Sequence, residues 1–184
     1  LLHGGFADEK GAGDLLDYAP TARAHLARGW MSVEECCEAI VVVSDNTAAN
    51  LLLVAASGPA GFTSFVRASG DNVTRLDRAE TALNENAPGD ERDTPSPDAM
   101  ARSLQRLLTQ DGILSPASRQ KLIGWMQAST TGRNRLRAGL PADWRAGDKT
   151  GTGARGAVND VAIAWPPGRA PIVIACYMSD GDAD

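Results

Sequence analysis

The amino-acid sequence predicts an α+β domain in which a series of helices precedes a short antiparallel sheet. The helices are indicated by caps followed by apolar residues at helical spacing. After Thr130 the pattern changes to short segments rich in β-branched and aromatic residues, at 144–150, 158–165 and 172–178. Strands that follow each other this closely pair antiparallel. At 184 residues, the whole chain (1–184) is expected to form a single domain.

Five helices are expected before residue 130. Their expected ranges are 33–43, 47–57, 59–68, and two more that begin at the Ser-Pro pairs 96–97 and 115–116. The first opens with a capping box, in which Ser32 is followed three residues later by Glu35. The first two helices are apolar over most of their surface, which predicts that both are buried.

Two stretches lack a helix or strand pattern. Residues 1–13 are glycine-rich and are expected to form a loop or a frayed helix end. Residues 74–95 have no sustained period and carry many acidic side chains. An irregular loop of this length inside a domain is usually either functional or disordered.

The composition argues against several classes of protein. Hydrophobic residues make up 43% and charged residues 22%, which suits a folded domain. The net charge of −5 argues against binding to nucleic acid or to an anionic membrane, and no apolar run approaches the ~18 residues of a membrane span. His3 and His25 lack metal-ligand spacing, so neither a metal nor a cofactor is expected.

Cysteine usage does not indicate a disulfide framework. Cys36, Cys37 and Cys176 are odd in number, and adjacent side chains on a helix diverge. Buried, unpaired thiols are expected at all three positions. A bond from Cys36 or Cys37 to a cysteine preceding Leu1 is the alternative.

Three polar motifs carry the functional argument. Ser44-Asp45-Asn46 lies between two apolar runs, and it is either a helix cap or a site held between two buried helices. Glu80 with Asn84 puts a carboxylate near a carboxamide, a pair that can hold one water and deprotonate it. The third motif, residues 149–152, is Lys-Thr-Gly-Thr and brings an ammonium and two hydroxyls.

In this order and at these intervals, the motifs resemble those of the class A serine β-lactamases. The resemblance runs from about Leu15 to the end and includes Thr130-Thr131-Gly132 and residues 144–148. It implies the family's two-lobe fold, a helical lobe beside an antiparallel sheet, with three strands present here. It also implies a small-molecule β-lactam substrate, no nucleic-acid or membrane partner, a monomeric complete protein, and a periplasmic or secreted location in a bacterium.

The resemblance assigns roles to the motif residues. Ser44 would relay a proton to the departing ring nitrogen beside the positive charge of Lys149. Glu80, with Asn84, would activate the water that hydrolyses the acyl-enzyme. The implied substrate-binding residues are Asn46, Asn84, Thr150, Gly151, Thr152, Arg135 and Tyr18, the last at the mouth of the cleft.

The resemblance also implies a clamp on the loop that carries Glu80. Arg78 and Asp93 resemble an ion pair that pins the two ends of this loop. Ala79 stands where many relatives carry a large aromatic residue, which predicts a less firmly packed loop.

One part of the family pattern is absent. The family's nucleophile lies in a Ser-x-x-Lys motif upstream of Ser-Asp-Asn, and nothing before Ser44 fits it. Residues 118–121 have this pattern, but they follow Glu80 and lie on the polar face of a helix, so the match is interpreted as chance. The chain is therefore expected to be the interior of a longer protein, without its N-terminal strands, nucleophile helix and last helix, and to be inactive alone.

Strand 172–178 would then be an apolar edge, which predicts a marginally stable, aggregation-prone chain.

Two alternatives to a β-lactam hydrolase stay open. One is a penicillin-binding peptidase that forms an acyl-enzyme without hydrolysing it efficiently, and the other is a non-catalytic remnant. Glu80 and Asn84 weigh against the peptidase, because such proteins share the other motifs but generally lack this pair.

Overall fold

Helices form where the sequence places caps and apolar faces. The structure, a computed structural model, describes residues 2–3 and 15–180. Its α-helices are α1 (Pro20–Ala24), α2 (Val33–Val43), α3 (Asn46–Ala55), α4 (Gly58–Ala68), α5 (Pro97–Thr109) and α6 (Pro116–Ala128). Short 3₁₀ helices lie at Leu26–Arg28, Ala82–Asn84 and Leu136–Gly139. The five expected helices are confirmed with small shifts at their ends, and α1 is an addition.

No single helix among the described residues has the length and hydropathy needed to span a membrane. Taken together, α3 and α4 pass the same test, with a bend of 74° between them.

A two-stranded ladder lies near the N-terminus, where β1 (Leu2–His3) pairs antiparallel with β2 (Trp30–Met31). The expectation of a loop or frayed helix end over residues 1–13 is wrong at residues 2–3, and the rest of that prediction lies outside the described residues. A strand of two residues is too short to produce an alternating pattern, so neither strand was predicted.

The three expected strands form an antiparallel meander. They are β3 (Arg145–Thr152), β4 (Val158–Trp165) and β5 (Ile172–Met178), in the spatial order β3-β4-β5. In this register Lys149 lies opposite Val161, and Asp160 lies between Thr150 and Cys176. Helices followed by an antiparallel sheet confirm the α+β class.

The core is divided into two clusters. Ala39 and Ala48 are buried with Cys36 and Leu51, where α2 meets α3. The second cluster packs the sheet against the last two helices, and its buried members are Leu104, Leu108, Met126 and Ile163. The strand residues of this second cluster lie on β4 and β5, and β3, which carries the third motif, is paired with β4.

The expectation that α2 and α3 are both buried is wrong for their outer faces. Residues 40–43 are only half-buried, and Val54 is 78% exposed. A helix buries the stripe that meets its neighbours, and apolar residues outside that stripe stay in contact with solvent.

All three cysteines are free. Cys36 is buried and Cys37 is half-buried, but Cys176 is exposed, so a buried thiol was wrongly expected there. Side chains alternate along a strand, and Cys176 points to the face of β5 opposite to half-buried Tyr177. Met178 of the same strand is 48% exposed, and the aggregation expected from an apolar edge stays a prediction.

Candidate active site

The turn between α2 and α3 has a left-handed backbone conformation at Ser44. This residue follows the last residue of α2 and has φ 60° and ψ 46°, a region that favours glycine. Its N–H donates to the carbonyl of Ile40 at 3.1 Å, which closes the last turn of the helix. Non-glycine residues in this region are strained, and such strain is concentrated at functional sites.

Asp45 ties this turn to two helices at once. One carboxylate oxygen accepts from the N–H of Ala48 at 2.9 Å and caps α3. The other accepts from the N–H groups of Thr21 at 2.9 Å and Ala22 at 3.0 Å, in the first turn of α1. These bonds satisfy donors that helix starts leave unpaired. The helix cap that the sequence allows for this triplet is present at Asp45, whereas its bonds to α1 were not foreseen.

Asn46 anchors the segment that bears Tyr18. Its side-chain amide donates to the carbonyl of Asp17 at 2.8 Å, and its backbone N–H donates to the carbonyl of Tyr18 at 3.2 Å. Tyr18 itself has φ 56° and is 60% exposed. The ring therefore stands at the rim of the region that Ser44 and Asn46 form.

Lys149 of β3 connects the sheet to the same turn. Its ammonium donates to the hydroxyl of Ser44 at 2.9 Å and to the carbonyl of Thr150 at 2.5 Å. Burial lowers the pKa of Lys149, and the carboxylates of Glu80 and Asp148 oppose that shift. A cation held this close to a hydroxyl can stabilise charge that develops on its oxygen.

Glu80 is held by two amide side chains. Asn84 donates to its carboxylate at 2.7 Å. Asn50 of α3 donates to the carbonyl of Glu80 at 3.0 Å and accepts from its N–H at 2.9 Å. Burial raises the pKa of Glu80, with the bond from Asn84 and the charge of Lys149 acting in the opposite direction. Asn50 was missed by the sequence analysis, although an amide inside the apolar run 48–54 was a usable signal.

The ion pair expected between Arg78 and Asp93 is present. Arg78 Nε lies 2.5 Å from a carboxylate oxygen of Asp93, whose side chain is 2% exposed. The other oxygen of Asp93 accepts from the N–H groups of Asp77 at 2.6 Å and Arg78 at 2.8 Å. Residue 93 is thus bound to the start of the loop that carries Glu80. Ala79, between Arg78 and Glu80 in the chain, is exposed.

Arg135 is fixed on the sheet rather than free in solvent. Its guanidinium donates to the carbonyls of Gly151 at 2.8 Å and Asn159 at 2.6 Å, and to the hydroxyl of Thr152 at 2.7 Å. The hydroxyl of Thr150 donates to that of Thr131 at 2.7 Å. These contacts arrange a cation and several hydroxyls along the edge of β3.

A buried ion pair lies behind this edge and was not foreseen from the sequence. Arg137 Nε is 2.5 Å from a carboxylate oxygen of Asp148, whose side chain is fully buried. Burial raises the pKa of Asp148, and the charges of Arg137 and Lys149 act against that rise. A Cβ at Gly132 would lie 1.4 Å from this carboxylate, so only glycine fits there.

One cleft of about 440 Å³ brings the predicted residues together. All the residues proposed for catalysis or substrate binding line it: Ser44, Glu80, Lys149, Asn46, Asn84, Thr150, Gly151, Thr152, Arg135 and Tyr18. The Arg78–Asp93 pair lies outside this lining. The cleft combines a carboxylate–carboxamide pair with an ammonium–hydroxyl pair.

Ser118 does not join this cleft. It is exposed on α6 and accepts a hydrogen bond from the hydroxyl of Ser115 at 3.0 Å. Lys121 forms an ion pair of 2.6 Å with Glu34 instead. The interpretation of this Ser-x-x-Lys string as a chance match is consistent with its position. In the described part of the chain, no group of three or more His, Cys, Asp or Glu side chains is arranged to hold a metal ion.

Comparison with known proteins decides the family. The sequence model of the "Beta-lactamase enzyme family" matches residues 7–184. The chain belongs to this family. It is 50% identical over 173 residues to the beta-lactamase AST-1 of Nocardia asteroides, covering 94% of this chain and 55% of that protein. It is 49% identical over 175 residues to the carbapenem-hydrolyzing beta-lactamase KPC of Klebsiella oxytoca, covering 95% of this chain and 59% of that protein.

Solved structures agree with this assignment. An ancestral class A beta-lactamase of Gram-negative bacteria matches with a TM-score of 0.91 and 56% identity, over 100% of this chain and 69% of that one. The class A protein PenP of Rhodopseudomonas palustris matches with a TM-score of 0.91 and 50% identity, over the same shares of the two chains. The class A fold predicted from the sequence is thereby confirmed. The chain spans about half the length of the curated relatives it matches.

Proposed function

We propose that the protein containing this chain hydrolyses β-lactam antibiotics through a serine acyl-enzyme. The observation that carries the proposal is the shared cleft, in which Glu80 with Asn84 faces Lys149 with Ser44. The first pair suits activation of a water, and the second suits delivery of a proton to a leaving group. Both steps are needed to open a cyclic amide and then release the product.

Acylation would use Ser44 as a proton relay. A serine hydroxyl attacks the lactam carbonyl, and the carbon–nitrogen bond breaks. The nitrogen takes up the proton of Ser44, and the proton lost by the attacking serine replaces it on Ser44. The ammonium of Lys149, 2.9 Å from this hydroxyl, stabilises the negative charge that develops as the proton leaves. The attacking serine would come from a Ser-x-x-Lys segment outside the described residues, because Ser118 lies apart from the cleft.

Deacylation would depend on Glu80. Its carboxylate takes a proton from a water, whose oxygen attacks the ester carbonyl. The ester bond to the serine then breaks, and the serine oxygen takes back the proton that Glu80 accepted from the water. The raised pKa of Glu80, caused by burial, makes this carboxylate a better proton acceptor than an exposed one. Asn84 and Asn50 hold the residue in place through its carboxylate and its backbone.

Substrate binding would use the edge of β3 and the cleft mouth. The guanidinium of Arg135 and the hydroxyls of Thr150 and Thr152 suit a substrate carboxylate. The amide of Asn46 can bind a side-chain carbonyl, and the ring of Tyr18 provides an apolar surface.

The family resemblance also supports a monomeric protein in the periplasm or the medium, which size-exclusion chromatography and cell fractionation would test.

The test is mass spectrometry of a protein that comprises this chain and a preceding Ser-x-x-Lys segment. After incubation with benzylpenicillin, Glu80→Gln should retain a covalent adduct of the full substrate mass, because the water is no longer deprotonated. Glu91→Gln, at an exposed acid of the same loop, should return to the free mass as the parent does. An adduct that persists in the parent would favour the penicillin-binding peptidase, and no adduct in any form would favour a non-catalytic remnant.

A further inference from the structure

Arg135 reaches the cleft from a segment with little regular structure. Its guanidinium bridges β3 and β4 through the carbonyls of Gly151 and Asn159. Its backbone precedes the 3₁₀ helix Leu136–Gly139, which is only four residues long. A 3₁₀ helix of four residues has poorer hydrogen-bond geometry than an α-helix and holds its backbone less firmly. The placement of Arg135 therefore needs an anchor from outside the segment.

Asp160 provides such an anchor. One of its carboxylate oxygens accepts from the backbone N–H of Leu136, the residue directly after Arg135, at 3.0 Å. Asp160 lies on β4, the central strand of the meander, with β3 on one side and β5 on the other. The position of its carboxylate is thus determined by three paired strands and the core cluster beneath them.

The anchor is costly to bury. Asp160 is 4% exposed, and its second carboxylate oxygen has no hydrogen-bond partner among the described residues. Burial and the charge of Asp148 raise its pKa to about 6, although Arg135 and Arg137 favour the ionised form. A local helix cap could use an amide or a hydroxyl without this cost. A buried carboxylate with a strongly shifted pKa next to a cleft points to a functional role.

We propose that Asp160 is a positioning residue for Arg135, and that through the Leu136 N–H it determines the affinity of the cleft for a substrate carboxylate. Asp160 is 4% exposed and its bonded carboxylate oxygen faces the N–H of Leu136, so it acts on Arg135 through the backbone. Loss of its acceptor frees the segment 135–139 to move away from β3. The guanidinium then binds the carboxylate less often in the correct geometry, while the catalytic pairs at Glu80 and Ser44 are unchanged.

The proposal rests on the proposed function, and its test separates the two. In the protein that comprises this chain and its nucleophile segment, kcat and KM are measured for benzylpenicillin and for its neutral methyl ester. Asp160→Ala should raise KM for the acid at least tenfold, with kcat within twofold and with KM for the ester unchanged. Asp160→Asn keeps an acceptor for the Leu136 N–H and should restore KM to within threefold of the parent.

Ile163→Val is the matched control, because it weakens the core under the same strand without touching the segment 135–139. It should leave KM for the acid unchanged. The positioning role is refuted if Asp160→Ala keeps the parental KM, if KM rises equally for the ester, or if Ile163→Val has the same effect. If the parent hydrolyses neither substrate, the proposed function fails. Calorimetry then measures the dissociation constant of the acid for each variant. A dissociation constant at least tenfold higher for Asp160→Ala than for the parent would still support the positioning role, and an unchanged one would refute it.

Discussion

The ammonium of Lys149 donates a hydrogen bond of 2.9 Å to the hydroxyl of Ser44, across a separation of 105 residues. The bond joins the strand β3 to the turn between α2 and α3, and so joins the sheet to the helical part of the fold. Ser44 can make it because its left-handed backbone ends α2 and turns the hydroxyl toward the sheet. Both residues line the cleft, so this contact sets the position of the hydroxyl relative to the ammonium there.

Removal of the Lys149 charge should therefore slow acylation. In the active protein, Lys149→Ala is expected to lower kcat/KM by about 10²–10³-fold, the usual effect of losing a group that stabilises developing charge. Lys121→Ala, which removes an exposed lysine of α6 that pairs with Glu34, is the control and should change kcat/KM less than twofold. Steady-state hydrolysis of a chromogenic cephalosporin measures both, and equal rates for Lys149→Ala and the parent would contradict the proton-relay mechanism.

Asp45 should be among the largest contributors to stability. Asp45→Ala removes the acceptor for the N–H groups of Thr21, Ala22 and Ala48, and is expected to cost about 3 kcal/mol or more, since buried donors are left unpaired. Asp98→Ala removes an exposed acid at the start of α5 and should cost less than about 0.5 kcal/mol. Urea unfolding followed by circular dichroism compares the two variants. If the urea midpoint of Asp45→Ala is close to that of Asp98→Ala, the role of Asp45 as an acceptor for the first turns of both α1 and α3 is refuted.

The Arg78–Asp93 pair should control opening of the loop that carries Glu80. Arg78→Ala leaves a carboxylate with a 2% exposed side chain without its ion partner, which destabilises the closed loop. We expect faster hydrogen exchange and proteolysis within residues 77–93, with little change in α5 and α6. Arg92→Ala removes a half-exposed arginine of the same loop and should leave exchange unchanged. Equal hydrogen-exchange rates over residues 77–93 in Arg78→Ala and in the parent would contradict the clamp.

The pKa of Asp160 should make stability depend on pH in an unusual direction. Its pKa is raised from 3.8 to about 6 in the folded protein. Between pH 6 and pH 4 the folded state therefore binds a proton that the unfolded state does not bind. Acidification over this window should increase the contribution of this group to the free energy of unfolding, by up to about 2–3 kcal/mol.

Asp160→Asn cannot bind this proton and serves as the reference. Asp148, Arg135 and Arg137 face the same region and are common to both proteins, so their effects largely cancel in the difference. Urea unfolding at pH 7, 6, 5 and 4 should show the parent gaining stability relative to the variant as the pH falls. A difference that is constant over this range would contradict the pKa shift.

Local sequence signals predicted those parts of the fold that local physics determines. The capping box of Ser32 with Glu35 sets the start of α2, and the alternating β-branched segments set β4 and β5. The ladder β1–β2 and the five-residue helix α1 were missed, because elements this short do not repeat a pattern. Burial of α2 and α3 was overestimated, because an apolar helix surface does not reveal which part meets a neighbour.

The candidate site was also predicted only in part. Its polar residues were identified from motif types, but their supports lie far away along the chain. Asn50 reaches Glu80 over 30 residues, and Asp160 reaches Leu136 over 24. The buried pair of Arg137 and Asp148 exists only once β3 packs against the segment after Gly132. Contacts of this kind depend on tertiary packing, which a periodic pattern does not encode.

We propose that this cleft hydrolyses β-lactams when a nucleophilic serine is supplied. The most direct test is turnover of a chromogenic cephalosporin by this chain and by the protein extended through a preceding Ser-x-x-Lys segment. We expect turnover by the extended protein alone, and its loss in Glu80→Gln. An extended protein that is acylated without turnover, although Glu80 is intact, would contradict the hydrolase mechanism. Turnover by this chain alone would contradict the assignment of the nucleophile.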